Sequence, residues 1–453
     1  MAAQKRADNW IDGLRGVAAL TVVTYHLCSC FANWLNSPAI SEEGSVYIFQ
    51  YPFLRLVVAG RSAVALFFLL TGYVNSFNSR KHIRNGDAAF ALQSLARSTL
   101  TRTGRLVMPT TAAVLMVWLI CQLNGFRVAS QVDAGWIRGS GTTTSGPTFF
   151  GAIDGLLRNL ILFWHNGVTD YDHTYWTIPF FLKGSMLVYI TLLGTTYTQP
   201  RHTKLILISL YFFAWSGGQA LMEMNIYAGI FLAELHADYG TNATTFISRP
   251  TSTLMIIFGL FLASFPEENP SWMPWSQALN TVGHLIVPNG GEVNRYITSL
   301  GTTFFVFGVF FSRDARRLLS SPFMNFLGRI SFPIYLIHNT LIRTVLSLVL
   351  YQQSIVSKGM HPVDKEGNPM FYEVGGAFTF AVTLPLFYLL LIYVAHLWTI
   401  HVDPRCGRVV SWLSRKAFGD TSDSELTKES PSNGILTTWK GRPSEPGKFF
   451  FCQ

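Results

Sequence analysis

Charge is what this sequence has least of. Only 13% of its 453 residues are Asp, Glu, Lys or Arg, against 49% hydrophobic, where a soluble domain carries about 25% charged residues. That shortage excludes an ordinary soluble protein of this length. Cysteine is also scarce. The five, at positions 28, 30, 121, 406 and 452, show neither metal-ligand spacing nor a paired framework, so no metal centre and no disulfide scaffold is expected. There is no small-residue cleavage site behind the first apolar run, which therefore stays as a helix, and Cys452 is wrongly placed for prenylation. The formal charge of +9 is spread through short loops and not gathered on one face, so nucleic acid is not an expected partner.

What remains is apolar. Runs near the roughly 20 residues needed to span a bilayer begin at about 13, 57, 106, 176, 205, 219, 251, 296, 330 and 374. They predict an all-α, polytopic membrane bundle of about ten transmembrane helices over 13–400, with a cytoplasmic segment 1–12 and a tail 401–453. The fifth and sixth runs are short and split by Ser216-Gly217-Gly218, so they read either as two crossings or as one broken hairpin. Lys and Arg number fifteen in the segments this topology puts inside and seven in the outer loops, which places both termini in the cytoplasm. The sequon at Asn242 then faces the cytoplasm and is expected unmodified. Residues 139–146, Gly-Ser-Gly-Thr-Thr-Thr-Ser-Gly, have the composition of a flexible linker, and 418–449 that of a disordered tail.

Ionisable residues inside the apolar runs are the candidates for function, because they usually face a bundle interior or a polar cavity. Arg15 and His26 are separated by eleven helical positions, which returns them to one face about 16 Å apart. The plain alternative is a snorkelling Arg15 paired with Asp12 and a hydrogen-bonded core His26. Gly60 to Tyr73 carries Arg61, and a Thr71-Gly72 pair in which the hydroxyl bonds within the helix and the glycine admits a neighbouring backbone. Arg102 and Arg105 stand at a membrane edge, where arginines set topology, bind lipid headgroups or meet phosphate with their guanidinium forks. Glu234 is read as the partner of a nearby basic residue. Ser331, Tyr335 and His338 line one helix face, with His338 at a depth matching that of His26.

Five stretches, in order, carry a resemblance to a known family: Ile11-Asp12-Gly13-Leu14-Arg15-Gly16 ending in Tyr25-His26, Val64 to Tyr73, Arg102 to Pro109, Trp176 to Ser185, and Leu327 to His338. Together they resemble the acyltransferase 3 family of multi-pass membrane O-acyltransferases, the fungal-type members most. The resemblance implies transfer of an acyl group, in the simplest case acetyl, from acyl-CoA as co-substrate to a hydroxyl, with no permanently bound cofactor. A small natural product is the favoured acceptor, and a glycan the alternative. It implies His26 as general base, Arg15 at the coenzyme A phosphate or the developing oxyanion, Arg102 and Arg105 on coenzyme A, and Lys183, Tyr335 and His338 toward the acceptor. An acyl-histidine intermediate is a further option. One position departs from the pattern: Phe181 stands where the family has glutamate. Lys183 thereby loses its nearest carboxylate and, if buried, needs another polar partner; Glu223 and Asp172 are candidate replacement acids. Two other classes remain open, a transporter and a non-catalytic relative.

Overall fold

The computed structural model describes residues 9–142, 146, 148–359, 362–363, 366–367 and 369–419. Among these the chain is helical, with two isolated bridges, Val132 to Tyr372 and Val363 to Pro369, in place of any sheet. In chain order the helices are α1 Trp10–Phe31, α2 Gly60–Arg84, α3 Ala88–Gln122, α4 Gly135–Gly139, α5 Phe149–Asn166, α6 Thr177–Gly194, α7 Pro200–Ser216, α8 Asn225–Tyr239, α9 Ala243–Phe246, α10 Arg249–Ala263, α11 Pro274–Ile286, α12 Val293–Phe311, α13 Arg313–Leu319, α14 Pro322–Leu341, α15 Ser347–Leu350, α16 Gln352–Lys358, α17 Ala377–His401 and α18 Asp403–Phe418.

Each of the ten apolar runs falls on a helix of its own. Five helical stretches, Trp10–Phe31, Ala88–Gln122, His173–Gly194, Pro322–Leu350 and Ala377–Phe418, are long and apolar enough to cross a bilayer. The ambiguous fifth and sixth runs form two helices, α7 and α8, that pack on each other. Between them, Ser216-Gly217-Gly218 turns the chain and a π-helical turn, Ala220–Met224, leads into α8.

Two close crossings organise the bundle. Along α1 and α14, contacts rise together in residue number, so the helices run parallel. A Cβ added to Gly16 would lie 2.8 Å from the Gly328 nitrogen, and one added to Gly328 only 2.2 Å from the Asp12 carbonyl oxygen. Glycine at both positions lets the two backbones touch. From that shared point His26 and His338 are each ten residues further on, about 15 Å along their helices, so parallel packing delivers them to one height. The second crossing joins α2 to α8. There Gly72 meets the Ile226 carbonyl and Gly229 the Leu69 carbonyl, while the Thr71 hydroxyl donates to Phe67 O at 2.8 Å. At the end of this crossing, buried Glu234 is 3.5 Å from Arg80 and 3.3 Å from Arg84.

The linker reading of 139–146 does not hold for the described part of it. Ser140 and Gly141 are buried, and side chains of α14 and of the turn that follows it claim their polar groups, as described below. The tail beyond Gly419 lies outside the described residues.

Because the Gly328 contact is backbone on backbone, Gly328→Ala should lower stability by about 1–3 kcal/mol, the usual cost of overpacking. Gly407→Ala, where an added Cβ meets nothing within 4 Å, serves as the control. Thermal unfolding of the two purified variants checks the difference.

Candidate active site

His26 Nδ1 lies 2.8 Å from His338 Nε2. The two rings meet edge to edge and near-coplanar, 7° from parallel with centroids 5.0 Å apart, and the Trp136 ring of α4 lies 4.9 Å from that of His26. The hydrogen bonds determine the tautomers. His338 Nδ1 is 2.7 Å from the Tyr335 carbonyl oxygen, which only accepts, so this nitrogen carries the proton and Nε2 is the acceptor. His26 Nδ1 must then be the donor to it, and His26 Nε2 is left with its lone pair. His26 is half-buried and His338 fully buried. The half-buried imidazole thus keeps a lone-pair nitrogen, and the fully buried one orients it.

Both rings are braced. The Tyr25 hydroxyl donates to Glu267 at 2.8 Å, and Glu267 also pairs with Arg61 at 3.0 Å, which stops α1 from rotating about its axis. Arg61 is held by two carboxylates, Glu267 and Glu292. On the α14 side, the Tyr335 hydroxyl is 2.7 Å from the Thr177 hydroxyl and also donates to Thr174 O. Asn339 Nδ2 donates to Asp172 Oδ1 at 2.8 Å, and Ser140 Oγ donates to Asn339 Oδ1 at 3.2 Å.

A π-helical turn, Ile342–Leu346, follows α14 and aims the buried Arg343 back over this layer. Its Nη1 donates to Tyr171 O at 2.8 Å, and its Nη2 to Gly141 O at 2.8 Å and Thr142 O at 2.5 Å. The guanidinium lies 4.0 Å from the Phe126 ring centroid. One arginine thereby pins the 139–142 and 170–174 segments that composition alone assigns to loop.

The family model described as an acyltransferase domain, that of acyltransferase 3, matches residues 8–389. The chain belongs to the acyltransferase 3 family. It is an enzyme that transfers acyl groups and an integral membrane protein. Among curated relatives, O-acetyltransferase PaAT-1 of Phomopsis amygdali is 22% identical over 75% of this chain and 73% of its own. Acyltransferase R4 of a Phoma species is 22% identical over 74% of this chain and 82% of its own. Acyltransferase clz18 of Cochliobolus lunatus is 23% identical with the same two coverages, 74% and 82%. No solved structure matches.

In this acyltransferase the remaining candidates fall into two groups. Arg15 is half-buried, 3.5 Å from Asp12, and lies within electrostatic range of Arg102, as does Arg105. Three arginines from α1 and α3 thus share one end of the bundle. Because α1 is continuous, Arg15 stays about 16 Å from His26, too far to reach an oxyanion formed beside that ring.

Lys183 stands apart. The condition of burial is not met: Lys183 is exposed, with its Nζ 5.1 Å from the Phe180 ring centroid. Six helical positions separate it from the inward Thr177, which turns it to another face. Phe181 fills an aromatic contact with Phe68 at 4.6 Å and Phe67 at 6.3 Å, so the departure from the family pattern is an apolar packing site. Glu223 sits in the π turn before α8, and Asp172 lies beside the histidine pair.

Next to this layer is a cavity of about 590 Å3, lined among others by Gln122, Gly139, Gly155, Asn159, Asp170 and Tyr171. Gly139 is one turn from Trp136 in α4. The Asp170 carboxylate accepts from Asn159 Nδ2 at 2.9 Å. Burial, with Cys121 and Asp170 nearby, pushes the Tyr171 phenol above its ordinary pKa, so its hydroxyl remains a hydrogen-bond donor.

Trp136, Asn339 and Arg343 were not legible as site residues, since each acts through a partner remote in sequence. The π turn offered no signal; a buried arginine five positions after His338 offered a weak one. Arg343→Leu strands three carbonyls, and amide hydrogen exchange over 139–142 and 170–174 should speed up as a result. Arg343→Lys should restore protection only in part, because an ammonium lacks the planar fork.

Proposed function

We propose that this enzyme is an O-acyltransferase that moves an acyl group, in the simplest case acetyl, from acyl-CoA to a hydroxyl of a small molecule. The observation that carries the reading is the tautomer chain, Tyr335 O to His338 to His26, which leaves His26 Nε2 as a lone-pair acceptor on a half-buried ring. As the acceptor oxygen attacks the thioester carbon, His26 Nε2 takes the hydroxyl proton. The carbon–sulfur bond breaks, the ester forms, and the proton passes to the thiolate to release free coenzyme A. Neutral imidazole suits both proton transfers.

The donor enters from the arginine end. Arg15, Arg102 and Arg105 offer permanent charge and forked donors to the phosphates of coenzyme A. The distance of about 16 Å from Arg15 to His26 is of the order of the pantetheine arm that links those phosphates to the thioester. The acceptor takes the opposite approach, by the cavity beside Trp136, whose lining of amides, a phenol and glycines suits a hydroxylated compound. The name O-acetyltransferase borne by one relative supports acetyl as the group transferred.

We read all ten apolar helices as crossings, with both termini cytoplasmic on the Lys and Arg asymmetry. Asn242 then stays unglycosylated in a eukaryotic host; a sugar on it, detected as an endoglycosidase-sensitive mass shift, would require the inverted topology.

The activity test is release of free thiol from acetyl-CoA by the purified protein in vesicles, with and without a panel of hydroxylated small molecules. His26→Ala should lower acceptor-dependent release by about 10²–10⁴-fold without changing protein level. Arg15→Leu should raise KM for acetyl-CoA more than it lowers kcat. Full turnover by His26→Ala would remove the assignment.

A further inference from the structure

The geometry points to Asp172 as the counter-charge of the histidine pair, a buried carboxylate held beside His338 by Asn339 that stabilises a proton while it resides on His338. The inference rests on the reading of His26 as base and extends it one ring deeper. Asp172 touches neither donor nor acceptor, so it is a positioning residue.

Asp172 is fully buried. Its Oδ1 accepts from Asn339 Nδ2 at 2.8 Å, from the Thr174 amide at 2.9 Å and from the Thr174 hydroxyl at 2.6 Å. Its Oδ2 is equally buried and has no hydrogen-bond partner among the described residues. Three donors on one oxygen suit an acceptor-only carboxylate, yet the second oxygen is left exposed to the interior field. A half-satisfied buried carboxylate lowers stability, and Asp172 forms no direct ion pair among the described residues. Arg343, within electrostatic range of Asp172, has both terminal nitrogens committed to backbone carbonyls.

His338 meets His26 of α1 at 2.8 Å and the Tyr335 carbonyl of its own helix at 2.7 Å, and Asp172 faces it from the segment before α6. Asp172 is the one anion in this set, and it acts on His338 electrostatically. When His26 Nε2 receives the acceptor proton, His26 Nδ1 passes its own proton to His338 Nε2 along the 2.8 Å contact. No atom is gained or lost, and the positive charge moves from His26 to His338, toward Asp172. On thioester cleavage the shift reverses, and the hydroxyl proton ends on the thiolate sulfur. The carboxylate absent at Phe181 is thus answered from the loop nine residues earlier.

The test uses full-length protein in vesicles and needs no acceptor. Diethyl pyrocarbonate modifies neutral imidazole, and its rate at His26, followed by mass spectrometry from about pH 4 to pH 8, reports where the pair takes up its proton. Asp172→Asn, which keeps the shape, should move the midpoint down by about one pH unit or more. Asn339→Asp, which adds a charge at the same place, should move it up. A merely structural role for Asp172 would not give opposite signs. Profiles identical to wild type in both variants overturn the inference. Should Asp172→Asn not fold, Asn339→Asp decides alone, an upward shift supporting the inference and an unchanged profile overturning it. Coenzyme A release with unchanged profiles sinks this inference and keeps the transfer reading; opposite shifts without release do the reverse.

Discussion

The hydrogen bond between two imidazoles in the membrane interior depends on how closely α1 and α14 can approach. It forms because glycine occupies both sides of their crossing and because the helices run parallel, so equal numbers of residues beyond the contact carry His26 and His338 to equal height. Either helix reversed, or held a side chain's width further off, would separate the rings. The geometry of the pair is therefore a property of helix packing before it is a property of the histidines. Rigid helices suit this purpose better than loops, since a reacting nitrogen must be held to within a fraction of an ångström.

Around that bond the structure arranges its polar groups in a sequence from one end of the bundle to the other. Arginines of α1 and α3 gather at one end, the imidazole pair lies about 15–16 Å further along, and a cap of loop segments closes over it. The cap is held by groups that are costly to bury: Arg343 on three carbonyls, Asn339 bridging Ser140 and Asp172, and Asp172 itself with one unsatisfied oxygen. Buried polar layers of this kind give little net stability but specify one arrangement of the chain. Here they attach segments of glycine and serine to the helix that carries His338, and so define one wall of the 590 Å3 cavity.

Much of this was readable in the chain itself. The ten apolar runs each became a helix, and the shared face of Arg15 and His26 follows from helical periodicity alone. The matching depths of His26 and His338 could be counted from the ends of their runs. Other features resisted reading for a common reason. Whether Lys183 is buried could not be read from its apolar helix, because the choice of face belongs to the packing partners, and α6 turns it outward. Residues 139–142 looked like linker because small polar residues lack a hydrophobic signal, whereas their order comes from Arg343, some two hundred positions away. Trp136 looked like one aromatic among many until the fold set it against His26.

Sequence by itself determined that this is a helical membrane protein, which stretches form its apolar helices, and which ionisable groups are placed on them at a cost that function must explain. Those conclusions are local, since hydropathy and helical periodicity act within twenty residues. Tertiary structure alone decided that the two histidines bond to each other, which nitrogen is left basic, and that Asp172 lies beside them. Those depend on contacts between helices and loops distant in the chain, where a hydrogen bond of 2.8 Å requires positioning that no local pattern encodes.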